Sequence, residues 1–419
     1  MPDSTYLFAR TRTWGYGSTI VCAVLLFAAS VGVMDYLPHE ATWPGSSPIL
    51  AGLIMVAVPA VWVACMSNTR CRLPDGAAVV ALLAVTVLFA AWYARYWPQF
   101  APFSDNHEAL ATGARQLLKG EFPWHASTFL GNPLSPMLGG FVLALPFVII
   151  PGGIYLQQLV FYVLFTGFVV RVAGVHPALM ATTLLLLSPH TRLSVPAGGD
   201  NWFVAMVVVM SASWGFYALR DEGRTYQAVL AALLFGVSMS YRATIWVAIV
   251  PVLVLFWRRF GPKVALSWFS LAGFVAALLV IGPLFIDAQA YLDGPYAMTM
   301  NKTDSSISYA GALIAGTTVL VTVLLSFFVR DLAGAWMALA GAMATMSITV
   351  TLTQVPVLGW MVALSSYPSV AYNGAWMLIG LVGLAMRRDD GLEQQASDDG
   401  RQRVDDVQHA EPAPSSRSS

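Results

Sequence analysis

Charge is scarce in this chain. Only 11% of its 419 residues are Asp, Glu, Lys or Arg, where a soluble domain carries about a quarter. With 57% of residues hydrophobic, lipid rather than water is the expected solvent. The 22 basic and 22 acidic residues cancel, which removes any bulk attraction to nucleic acid. Cysteine is nearly absent, and Cys22, Cys65 and Cys71 sit in or beside apolar stretches. They form neither a disulfide framework nor a metal spacing and read as packing residues. Alternating ten-residue strands are missing, which excludes a transmembrane β-barrel. No cluster of His and carboxylates has ligand spacing, so neither a metal nor another cofactor is expected. Acidic residues inside apolar runs are few, which argues against proton or ion coupling.

What the chain has instead is a series of apolar runs near the 20 residues that span a bilayer as a helix. Spans are expected at 16–35, 49–67, 77–96, 134–151, 154–172, 202–219, 226–241, 243–257, 264–286, 308–329, 332–352 and 369–386. The fold class is therefore an all-α polytopic membrane protein of about 12 helices. The first run lacks a convincing cleavage site and reads as a retained span. With short-loop Lys and Arg marking the cytoplasmic side, Arg10, Arg12, Arg70, Arg72, Arg220, Arg224, Arg258, Arg259, Lys263, Arg330, Arg387 and Arg388 share one face. Both termini are then cytoplasmic in a multi-pass protein of a bacterial plasma membrane. The apolar stretch 177–188 is only about twelve residues long, and is expected as a short re-entrant helix entering from the external side. The organisation is a three-span segment (1–97), an external loop (98–133), a membrane core (134–386) and a polar, disordered tail (387–419).

The external loop carries most of the chemistry. Residues 105–119 have the pattern of an interfacial helix, with Leu110, Ala114, Leu117 and Leu118 on one face. Gly120 suits the left-handed turn after its end. Trp97, Phe100, Phe103, Phe122 and Trp124 fit the headgroup level. Asp105, His107 and Glu108 cluster at the helix start. Asp105 is a good N-cap residue, and Glu108 three positions on resembles a capping box. A cap and a reactive carboxylate are compatible, because a helix N-terminus favours the ionised form.

The stretch SDNHEALATGARQLLKGEFPW, followed by NPLSPMLGGFVLALPF, resembles the first external loop of GT-C superfamily glycosyltransferases. It looks most like the bacterial type that uses polyprenyl-phosphate mannose. The matching positions are Asp105, Ala114, Leu117, Leu118, Gly120, Pro123, Pro133, Pro136 and Pro146. A second stretch, LLLLSPHTRLSVPAGGDNWFVAM, is similar to the family's segment in which Ser-Pro precedes a Gly and Asn pair, here Gly198 and Asn201, with Asp200 where an apolar residue is more usual. In a third, YRATIWVAIVPVLVLFWRRF, Arg242 stands where Lys is common.

The resemblance implies a GT-C-like bundle and a transfer reaction at the external face. A sugar, mannose first among the candidates, would pass from a polyprenyl-phosphate donor to a glycan or glycolipid acceptor. Asp105 would be the general base. Glu108 and His107 are its neighbours. Arg242 would bind the donor phosphate through its fork, or else is an interfacial snorkelling Arg. Arg192 and Lys302 are further external cations that also read as plain loop charges. Asp200 and Asn201 begin a span, and Asp200 also reads as an N-cap. In loop 287–306, Tyr291, Asp293, Tyr296 and Asp304 combine rings and carboxylates in a way that suits sugars, or form an aromatic belt. The competing classes are a transporter or lipid flippase, for which no internal repeat is found, and a non-catalytic subunit of envelope assembly.

Overall fold

A computed structural model describes residues 73–100, 104–187, 198–221, 223–297 and 309–365, with Thr191, Val195 and some positions between 378 and 386. The expected spans 16–35 and 49–67, two thirds of 369–386 and the tail 387–419 lie outside the described residues. The described chain is helical. Its one pairing of extended backbone is an isolated antiparallel bridge between Ser127 and Pro133.

The helices in order are α1 (Asp75–Phe100), α2 (Asn106–Leu118), α3 (Leu138–Val148), α4 (Leu156–Ala173), α5 (Val175–Leu187), α6 (Asp200–Arg220), α7 (Thr225–Met239), α8 (Ile249–Ile281), α9 (Leu284–Tyr291), α10 (Ala310–Ser326) and α11 (Leu332–Ser365). Five stretches among the described residues are long and apolar enough to cross a bilayer: Asp75–Pro98, Gly153–Ala173, Asp200–Arg220, Ala243–Ile281 and Leu332–Val357. This is the architecture of a multi-pass membrane protein. Helix α6 is its centre, with 78% of its apolar window buried. Outer helices instead turn side chains such as Val80, Leu83, Leu313 and Leu320 outward, as lipid requires.

The stretch Ala243–Ile281 is a hairpin rather than one rod. Gly261 has φ 82 and interrupts α8 ahead of Pro262. Phe256 and Trp268 are twelve residues apart, roughly 18 Å along a straight helix at about 1.5 Å per residue. Their ring centroids are 4.7 Å apart. Only a reversal of direction at Gly261 permits that contact. The two limbs correspond to the separate spans expected from the sequence.

Close helix contacts rest on small residues, as expected where lipid supplies no hydrophobic drive between helices. A Cβ on Gly139 would lie 2.2 Å from the Val237 carbonyl oxygen, and one on Gly236 would lie 2.4 Å from that of Ala272. Several hydroxyls buried in the bundle turn back on their own helices. Thr318, Thr322 and Ser326 each donate to the carbonyl four residues earlier at 2.6 Å. Each of these three hydroxyl hydrogens is thereby satisfied within its own helix.

Two topological expectations change. The run 134–151 was expected to span, but α3 holds only 11 residues, roughly 16 Å of rise against a core of about 30 Å. Pro136 precedes the helix, and Pro151 and Gly152 follow it closely. The chain then returns through a short turn, Gly153–Tyr155, whose Tyr155 ring stacks on Trp97 at 3.7 Å. The end of α1 and the start of α4 are thus at the same end of the bundle as α2. Helix α5, expected as re-entrant from that end, starts at the opposite one. His176 binds the Leu73 carbonyl at 2.9 Å and lies 3.7 Å from Asp75, beside the start of α1. The two changes cancel in parity. Asp200 remains at the Asp105 end, Arg220 and Arg258 remain opposite, and Arg171 joins them at the far end of α4. Run length misjudged both segments because proline, glycine and packing, not hydropathy, set where each helix stops.

Candidate functional site

Helix α2 forms where the periodicity predicted. Leu110 and Ala114 are buried and Leu117 is half-buried, whereas Leu118 points outward. Gly120 has φ 74 after the last turn, and the Glu121 N–H donates back to the Gln116 carbonyl at 2.9 Å. That pattern closes the helix with a left-handed glycine.

The start of α2 corrects the capping reading. Asp105 occupies the N-cap position but makes no side-chain cap bond. Its Oδ2 instead accepts from Thr128 Oγ1 at 2.6 Å and from Asn132 Nδ2 at 2.8 Å. Glu108 does not close a capping box either, since its Oε2 accepts from the Phe129 N–H at 2.8 Å. Both carboxylates therefore hold the turn 127–133, which Gly131 closes at φ 77. Among the described residues nothing donates to Asp105 Oδ1.

Trp124, expected among the interfacial rings, is turned into the protein. It is buried, packs on Phe141 and Tyr291, and donates its indole N–H to the Pro136 carbonyl at 3.3 Å. Tyr291 is buried against it and presents no open ring face for a sugar.

His107 is buried, with Nε2 3.4 Å from the Tyr93 hydroxyl and its ring edge-on to Tyr155. Its Nδ1 has no partner among the described residues. Burial lowers its pKa from 6.5 to about 4, opposed by the nearby Asp200 carboxylate, so the imidazole is neutral at neutral pH.

Arg242 and Asp200, separate candidates in the sequence, are one buried ion pair. The guanidinium Nε donates to Asp200 Oδ2 at 2.7 Å, Nη2 donates to the same oxygen, and Nη1 donates to the Ser135 carbonyl at 3.2 Å. The side chains are 15% and 9% exposed, so neither charge is merely snorkelling and Asp200 is no simple cap. The backbone explains the meeting. Residues 240 and 241 accept the first N–H groups of α3, from Gly139 and Met137 at 3.1 Å each. That docking holds Arg242 extended, at φ −145, beside Ser135. Asn201 follows Asp200 on the first turn of α6, half-buried. Arg192, Lys302 and Asp304 lie outside the described residues.

These contacts close a circuit. Asp105 binds Asn132, and three residues on Ser135 binds Arg242. Arg242 binds Asp200. Two residues earlier, Gly198 (φ +77) comes so near His107 that an added Cβ would stand 2.8 Å from its ring. His107 is two residues from Asp105. One end of the bundle thus carries two carboxylates, a guanidinium and a neutral imidazole on three different chain segments. An apolar groove of about 540 Å³ opens between α7 and the two limbs of α8, lined by Phe235, Met239, Trp246, Leu253, Phe269 and Gly273 among others. Its rim is exposed at Trp246, Leu266 and Ile281.

No family model, curated protein or solved structure matches this chain.

Thr128, Asn132, Ser135 and Tyr93 were not singled out from the sequence. The turn signature around Gly131 was visible, but nothing in it pairs the turn with Asp105.

Proposed function

We propose that this chain is a membrane glycosyltransferase of GT-C-like architecture that moves a sugar from a polyprenyl-phosphate donor to a lipid or polysaccharide acceptor at the external face. Mannose is the first sugar to test. The observation that carries the reading is the circuit that sets Asp105, one of whose carboxylate oxygens takes no bond from the described residues, at the same end of the bundle as Arg242 and the apolar groove. The groove suits an isoprenoid chain lying in lipid. Met239 and Trp246 at its edge flank Arg242 in sequence, where a phosphate at the head of such a chain would meet a guanidinium. In the reaction the acceptor oxygen bonds to C1 of the sugar and its proton passes to Asp105. The C1–O bond to phosphate breaks, and its electron pair leaves with the polyprenyl phosphate.

The test is transfer from polyprenyl-phosphate mannose to alkyl mannosides by the protein in proteoliposomes, with donor binding measured in parallel. The wild-type protein should turn over, and Asp105→Asn should bind donor but lose about 10²–10⁴-fold in turnover. Full activity of that variant removes Asp105 as base and makes Glu108 the next candidate. Lipid movement between leaflets without any transfer would favour the flippase reading instead.

A further inference from the structure

The way Asp105 is held carries a further step, which rests on the transferase reading. Among the described residues two donors reach its carboxylate; both come from one seven-residue turn and converge on the same oxygen, Oδ2. Thr128 is itself buried and takes the Asn132 N–H on Oγ1 at 3.3 Å. A hydroxyl that accepts from the turn's own backbone keeps its one hydrogen to donate, here to Asp105. The turn is further closed by the Thr128 N–H to the Asn132 carbonyl at 3.0 Å and the Gly131 N–H to the Thr128 carbonyl at 2.8 Å. Its second attachment to α2 is the Phe129 N–H on Glu108. The tip residues Phe129 and Leu130 stay 54% and 50% exposed, so packing of the tip against the rest of the protein does not hold the turn in place. The two carboxylates of α2 do.

We infer that Thr128 and Asn132 are positioning residues: they fix the Asp105 carboxylate by Oδ2 so that Oδ1 is the oxygen that receives the acceptor's proton. A free carboxylate would rotate about χ2, a broad torsion, and would exchange the two oxygens. Two donors on one oxygen, one of them a short hydroxyl contact, select a single orientation at the cost of ordering a turn that α2 already anchors through Glu108. Misplacement of a catalytic group by about an ångström can cost on the order of 10² in rate, and that is the scale of effect a positioning pair can have.

The experiment measures transfer and donor affinity in proteoliposomes for Thr128→Val, Thr128→Ser and Asn132→Ala, with polyprenyl-phosphate mannose and alkyl mannosides as probes. Thr128→Val keeps the shape and removes the hydroxyl. It should lower kcat by about ten- to a hundredfold while donor affinity and thermal stability stay close to wild type. Thr128→Ser restores the donor and should recover most of the turnover. Asn132→Ala should also lower kcat, and its combination with Thr128→Val should cost less than the product of the two losses, because both act through one oxygen. If Thr128→Val turns over like wild type, or if Thr128→Ser is as slow as Thr128→Val, the inference is overturned and the reading of Asp105 as base stands. If the wild-type protein transfers nothing from the probe donor, the transferase reading falls and the inference with it.

Discussion

Breaking the pair between Asp200 and Arg242 should be far more harmful than removing it. The side chains are 9% and 15% exposed and joined through two nitrogens of the guanidinium. Asp200→Leu leaves a buried guanidinium without its carboxylate, the Ser135 carbonyl still accepting from Nη1. Removal of one partner of a buried pair costs about 3–5 kcal/mol. The surviving carbonyl contact places this variant near the lower figure. A loss of about 3 kcal/mol is roughly a hundredfold in the folded-to-unfolded ratio. Arg242→Met leaves a buried carboxylate and should cost at least as much. The double variant, which fills the space with apolar side chains, should cost far less than either single change, because replacing a whole buried pair is often close to neutral. The assay is equilibrium unfolding in mixed micelles titrated with SDS, followed by tryptophan fluorescence, for the wild type, both single variants and the double. Additive losses in the double variant, or single losses below about 1 kcal/mol, would refute the claim that these charges are paired and buried. The same double variant should fold yet fail to bind the donor phosphate.

Three further outcomes follow from other contacts. His107 is held neutral by burial, with its pKa lowered from 6.5 to about 4. The unfolded chain therefore binds more protons between those values. Stability should be full above pH 6.5 and fall by on the order of 3 kcal/mol as pH drops to about 4; a His107→Gln variant whose unfolding midpoint tracks pH as the wild type does would contradict this. Gly139→Ala must push α3 off α7, since the added carbon would sit 2.2 Å from a backbone oxygen. It should lower the melting temperature sharply, whereas Gly167→Ala, with nothing within 4 Å, should not; equal melting temperatures would remove the close contact. Cysteines placed at Leu130 and Gly223 should react with an impermeant reagent from opposite faces of the membrane, because the two positions lie at opposite ends of the bundle; reaction of both from one face would overturn the topology.

The α2 helix and its glycine stop, most of the helices of the core, and the break near Gly261 were all legible in the sequence. Each depends on residues close together in the chain: an i, i+3, i+4 stripe, a glycine after the last turn, or a basic cluster such as Arg258, Arg259 and Lys263 between two apolar runs. Length alone failed at 134–151 and 177–188. A run of apolar residues gives the solvent of a segment, not the place where its helix ends or the end of the bundle from which it starts. The site shows the same division. Asp105, His107, Asp200 and Arg242 stood out as polar groups in an apolar chain, but as separate residues with separate roles.

The sequence by itself determined that this protein lies in lipid, that its elements are helices, and which few polar residues must be accounted for. Backbone groups in hydrocarbon have to satisfy one another locally, so composition and short-range pattern are enough for that. Tertiary structure alone decided which polar groups meet. Asp105 serves the turn that carries Thr128 and Asn132 instead of capping its own helix. Asp200 meets Arg242 across 42 residues of chain because the start of α3 docks on the backbone at Ser240 and Tyr241. Such pairings are set by helices packing through glycines at close range, and no local pattern encodes the partner.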